Sequence, residues 1–190
     1  MLPRLSILSL LVLTGCAASR APSDTLTDSA TPKVVSGPGP YAFECDAPAG
    51  SFSEMNIRAP SGTIHVRGKV QFVATRSNDH WAASATVSIA GTRKLPKVGL
   101  QALVGADRPA DVFLAVRGLG GSQERVVFTS TPMTNQPIPF DLILGESGNL
   151  DVVAAGASAS LTVGLIATTR VNVFCSTAHV LFSDITVVGD

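Results

Sequence analysis

From Trp81 to Ala90 the chain alternates, with Trp81, Ala83, Ala85, Val87 and Ile89 on one side and Ala82, Ser84, Thr86 and Ser88 on the other. A period of two belongs to an extended strand, whose successive side chains point to opposite faces, and not to a helix. The run reads as a strand with one buried face and one wet or lightly covered face. Val112, Leu114 and Val116 repeat the pattern, as do Phe140, Leu142 and Leu144, and Leu161, Val163 and Leu165. No segment beyond residue 40 sustains helical periodicity with a cap at each end.

The remaining chain divides in the same way. Strands are expected at Tyr41–Asp46, Phe52–Ala59, Thr63–Val66, Val70–Arg76, Trp81–Ala90, Val98–Val104 and Asp111–Arg117. Others are expected at Glu124–Ser130, Pro139–Leu144, Asn149–Ala154, Ala159–Gly164, Val171–Cys175 and His179–Val188. Between them lie turn signals such as Pro48-Ala-Gly50, Pro60-Ser-Gly62, Ser77-Asn-Asp79, Asp107-Arg-Pro109, Gly145–Gly148 and Gly156. Many short strands at this spacing predict an all-β domain, an antiparallel β-sandwich or a barrel, over residues 41–190. A block of that length is long enough to bury a core.

The first 40 residues have other compositions. After Arg4 comes the apolar run Leu5–Thr14, about half the length that spans a bilayer and of the length of a signal peptide core. It ends in Leu13-Thr14-Gly15-Cys16, which resembles the bacterial lipobox. The resemblance implies a signal peptide over 1–15 and lipidation of the Cys16 thiol and its freed amine. At about 0.8 kcal/mol per buried CH₂, several acyl chains anchor stably where one does not. With Ala17 rather than Asp after the cysteine, the resemblance further implies the outer membrane of a two-membrane cell. Residues 17–40 are rich in Pro, Gly, Ser, Thr and Ala and show neither period. As a flexible tether they reach about 25–30 Å; alternatively part of the stretch packs along the domain, Val34-Val35 first.

The order of the later runs, ending in Val180-Leu-Phe-Ser-Asp-Ile-Thr-Val187, resembles the second half of concanavalin A-like and laminin-G-like domains. The resemblance implies a jelly-roll sandwich. An exported chain folds where thiols oxidise, so Cys45 and Cys175 are expected to pair, the alternative being two buried thiols. The resemblance implies that the first and last strands lie close enough for the pair.

No catalytic constellation emerges. Formal net charge is zero, with 14 basic and 14 acidic residues, which leaves no electrostatic footprint for nucleic acid. His65, His80 and His179 are scattered, without zinc-ligand spacing. Gly145-Glu-Ser-Gly148 is one residue short of a nucleophile elbow, and Gly118-Leu-Gly-Gly121 lacks the helix and Lys of a phosphate loop. Glycoside cleavage needs two facing carboxyl groups, and the acids here stand singly, mostly at turns. Asn78-Asp79-His80-Trp81 sets polar groups beside an indole, the pattern of a sugar-stacking site; a turn followed by a core Trp is the other reading. Asp107 and Asp111 are too few for a calcium site of six to eight oxygens, so no cofactor is expected. Arg93, Lys94 and Lys97 around Pro96 form a small basic loop, read as a solvated hairpin or, alternatively, as a contact to an anionic polysaccharide or headgroup. The sequence thus points to a noncatalytic, lectin-like envelope lipoprotein binding a glycan or protein partner. A structural lipoprotein and a glycan-cleaving enzyme stand as alternatives.

Overall fold

The computed structural model describes residues 27–28, 33–37, 39–91, 97–120, 122–164 and 168–189. The expected signal peptide, Cys16, most of the expected tether, and Arg93 and Lys94 of the basic loop lie outside the described residues.

Fourteen strands are described: β1 (Thr27–Asp28), β2 (Lys33–Val35), β3 (Tyr41–Asp46), β4 (Ser51–Arg58), β5 (Ile64–Thr75), β6 (Ser84–Gly91) and β7 (Lys97–Val104). They continue as β8 (Asp111–Gly120), β9 (Ser122–Pro132), β10 (Ile138–Leu144), β11 (Asn149–Ala154), β12 (Ala157–Thr162), β13 (Thr168–Ser176) and β14 (Ala178–Gly189). One sheet runs β1-β4-β13-β6-β7-β8-β9, with β2 also on β4; the other runs β12-β11-β10-β5-β14-β3. Apart from β1 and β2, which lie parallel to β4, the pairings are antiparallel. The apolar halves of the alternating runs face inward from both sheets. Ile89, Leu100 and Leu114 come from one sheet and Val66, Leu142, Phe182 and Ile185 from the other, each at most 2% exposed.

The sheets are tied at one corner. β13 passes into β14 through Thr177 alone, a fully buried residue with φ 54°. A non-glycine residue pays for that conformation, and here three bonds hold it. Its N–H donates to the Ser51 carbonyl, its carbonyl accepts from Arg76 N–H, and its hydroxyl accepts from Gly50 N–H. Two residues away Cys175 is bonded to Cys45, joining β13 to β3 and so one sheet to the other, with Cα atoms 5.9 Å apart. The expected pairing is therefore present.

Most strands fall within three residues of expectation, and the differences have local causes. The runs 63–66 and 70–76 form the single strand β5. Gly68 between them does not break it; an added Cβ there would lie 2.8 Å from Phe140 Cζ, so glycine admits close packing. The strand expected from Trp81 begins at Ser84. The Asn78 Oδ1 accepts the N–H groups of His80 and Trp81 at 2.9 Å, holding this stretch in a turn. The second face of β6 is not wet: Ser84, Thr86 and Ser88 are 4–5% exposed. These small side chains sit in a central strand, between larger cross-strand neighbours such as Phe174, Gln101 and Leu103. Within the tether, Val35 packs against the core as part of β2, while Val34 is exposed.

Two substitutions test these local readings. The β11–β12 turn puts Ala155 at φ 50° before Gly156 at φ 77°, the conformation that favours Asn-Gly. Ala155→Asn is expected to stabilise the fold by about 0.5–1 kcal/mol, read as a raised melting temperature. An added Cβ at Gly99 would fall 2.1 Å from the Val87 carbonyl oxygen. Gly99→Ala is expected to cost about 1–3 kcal/mol through overpacking, measured by denaturant midpoint.

Candidate ligand-binding face

The registers of the eight-stranded sheet align its outer side chains into rows. One row reads Asn56 (β4), Asn172 (β13), Ser88 (β6), Gly99 (β7), Arg117 (β8) and Arg125 (β9). The next, toward the Ser51 end of β4, reads Glu54, Phe174, Thr86, Gln101, Ala115 and Val127. On the other side lie Arg58, Arg170, Ala90 and Lys97. These residues alternate with core residues, so their placement follows from the pleat.

The centre of the face is polar and closed. Thr86, Ser88 and Gln101 are each 4% exposed and Asn172 is 1% exposed. Thr86 Oγ1, Ser88 Oγ, Gln101 Oε1 and Asn172 Oδ1 are buried without a hydrogen-bond partner. An orphaned buried polar atom costs about 1–3 kcal/mol. Four on one face is a concentration of unmet hydrogen-bonding capacity, and it sits where three adjacent strands meet. Beside it the Glu54 carboxylate is held by two amides: Asn56 Nδ2 donates at 3.1 Å and Asn172 Nδ2 at 2.8 Å. Asn172 Nδ2 also donates to Asn56 Oδ1 at 3.2 Å, which fixes the amide orientations.

The flank is cationic. Arg117 stands directly opposite Arg125, and Arg58 directly opposite Arg170. Burial holds the Arg117 guanidinium below its ordinary pKa, and the adjacent Arg125 charge adds to the effect.

The residues singled out in the sequence lie elsewhere. Asn78, Asp79 and Trp81 line a depression of about 330 Å³ with Val104, Gly105 and Pro109. Trp81 is half-buried rather than core, and the Asn78 side-chain oxygen is committed to the turn. His80 is exposed beside them. Arg108 approaches Asp111 to 3.7 Å, so one of the two acids weighed for calcium faces a cation. No group of three or more His, Cys, Asp or Glu able to hold a metal is present among the described residues.

A second depression, about 430 Å³, lies on the six-stranded sheet and is lined in part by Arg67, Lys69, Asp141 and Asp184. Its charges are engaged locally. Lys69 pairs with Asp184 at 2.8 Å, His65 contacts Asp141, and Arg67 Nη2 reaches His65 Nδ1 at 3.2 Å.

Sequence reasoning missed Glu54, Asn56, Gln101, Arg117 and Asn172. A usable signal was present: Gln101 in Val98-Gly-Leu-Gln-Ala-Leu-Val104 and Asn172 in Val171-Asn-Val173 are lone amides inside apolar strands. A polar group at such a position must find a partner when the strand is central.

No family model and no curated relative matches the chain. Among solved structures, the CBM2 module of the evolved Dit protein of Lactobacillus casei BL23 phage J-1 is similar with a TM-score of 0.55 and 8% identity, over 82% of this chain and 81% of that one. An alginate lyase from Pseudomonas aeruginosa is similar with a TM-score of 0.52 and 11% identity, over 68% of this chain and 65% of that one. The chain thus spans less than two thirds of that lyase's length. At such identities the likeness is one of fold: the described residues between 41 and 189 build an all-β, antiparallel jelly-roll sandwich.

Proposed function

We propose that this chain is a lipid-anchored envelope lipoprotein whose sandwich binds a glycan, without cleaving it, on the outer face of the eight-stranded sheet. The observation that carries the reading is the group of four orphaned polar atoms on Thr86, Ser88, Gln101 and Asn172. Hydroxyl-bearing ligands supply the donors and acceptors such a row needs once the groups closed over it part, and the half-buried Phe174 offers an apolar surface to a sugar ring. A CBM2 module and a lyase as neighbours in fold support the glycan class, although fold alone never fixes function. The noncatalytic part rests on the side chains of the face. Its two central rows hold one carboxylate, Glu54, already engaged by two amides, and no histidine or tyrosine. Two groups poised for proton transfer on either side of a glycosidic bond are what cleavage requires.

The anchor rests on Leu13-Thr14-Gly15-Cys16. Mass spectrometry of the native protein should find an N-terminal Cys16 carrying acyl chains, and Cys16→Ser should leave uncleaved precursor. An unmodified mature N-terminus elsewhere would overturn the anchor. For the ligand, a glycan array with the purified chain should give hits that Gln101→Leu abolishes and Trp81→Ala spares. The reverse result would move the site to the Asn78–Trp81 depression. A blank array with a co-purifying protein would favour a structural lipoprotein, and release of reducing ends would require an enzyme.

A further inference from the structure

Resting on the reading above, we infer that the glycan is acidic, carrying carboxylate or sulfate groups that dock on the paired arginines Arg117–Arg125 and Arg58–Arg170. Like charges directly opposite across a ladder are destabilising, and this face holds two such pairs, with Lys97 beside the second. No carboxylate is paired with any of these five cations among the described residues, and Glu54 is turned to the amides. The rest of the molecule handles its charges differently. On the six-stranded sheet and its edge, Lys69 is paired with Asp184 and Arg76 with Asp46. The net neutrality of the chain therefore hides a local asymmetry, with cations on this face that have no carboxylate partner among the described residues, while Asp46 and Asp184 elsewhere are paired. Guanidinium forks fit carboxylate and sulfate oxygens two at a time, which makes arginine the side chain suited to such groups.

An anionic lipid headgroup would offer similar chemistry, but the chain direction argues against it. β1 and β2 run parallel to β4, with Thr27 beside Ser51 and Val35 beside Ile57. Thr27 therefore lies at the Ser51 end, and the Arg58–Arg170 pair lies at the other. Seven residues of strand separate the two ends, about 23 Å. Thr27, the described residue nearest Cys16 in sequence, thus lies away from Arg58, and the chain comes alongside the arginine end only at Val35.

The test uses the detergent-purified full-length chain and four probes: oligogalacturonate, dextran sulfate, neutral dextran, and phosphatidylcholine vesicles with and without phosphatidylglycerol. Binding is measured at two salt concentrations for the native chain, Arg117→Gln/Arg125→Gln and Arg58→Gln/Arg170→Gln. An acidic polysaccharide should bind, more weakly at high salt, and each double variant should lose tenfold or more in affinity. Neutral dextran should not compete. Melting temperatures of the variants should be unchanged or higher, since a repulsion is removed. Equal binding of neutral and acidic glycans, indifferent to the arginines, would overturn the acidic class and leave the glycan reading intact. Arginine-dependent preference for phosphatidylglycerol with no polysaccharide bound would overturn both, as would failure to bind any probe.

Discussion

Replacing Cys45 and Cys175 together by alanine should cost about 3–5 kcal/mol of stability. The bond closes a loop of 130 residues, most of the folded chain, so it removes many extended conformations from the unfolded ensemble. It also joins β3 to β13 at the corner where Thr177 carries the chain from one sheet to the other. Both cysteines are fully buried, and alanine avoids leaving a hydroxyl there. For a domain of this size 1 kcal/mol moves the midpoint by about 2–4 °C, so a fall of about 10 °C is expected. Adding reductant to the native chain should give a similar fall, and adding it to the double variant should change nothing. A native midpoint indifferent to reduction would remove the bond from the stability account.

The second large effect runs the other way. Thr86→Val with Ser88→Ala deletes two buried hydroxyls that have no partner, with little change of shape. Each orphan costs at least about 1 kcal/mol, so the double variant should be about 2 kcal/mol more stable and melt about 4–8 °C higher. The same variant should lose glycan affinity by tenfold or more. Stability gained as binding is lost is the mark of groups kept for a ligand rather than for the fold. An unchanged or lower midpoint would mean that the hydroxyls are already satisfied in the ligand-free protein, and the site would lose its main support.

The sheet architecture was legible because its cause is local. Val112, Leu114 and Val116, or Phe140, Leu142 and Leu144, declare a buried face by period alone, and each lies in the core. The runs 63–66 and 70–76 are one strand because the intervening Gly68 admits a close approach between layers, which only the neighbouring Phe140 reveals. The candidate face was less legible because it is made by register. Asn56, Asn172, Ser88 and Arg117 are far apart in sequence and become a row only when five strands are laid in order. The Asn78–Trp81 cluster is contiguous, and so it was visible in sequence, while its asparagine serves the turn.

The parallel course of β1 and β2 along β4 has a mechanical consequence. If the lipid pulls from the Ser51 end while a polysaccharide mesh holds the arginine end, the load runs along the strand axis. The hydrogen bonds joining β2 to β4 then resist sliding together instead of parting one after another, as they would in a peeled hairpin. A short segment loaded in that direction withstands more force than its length suggests, so under such a load β2 would stay on β4.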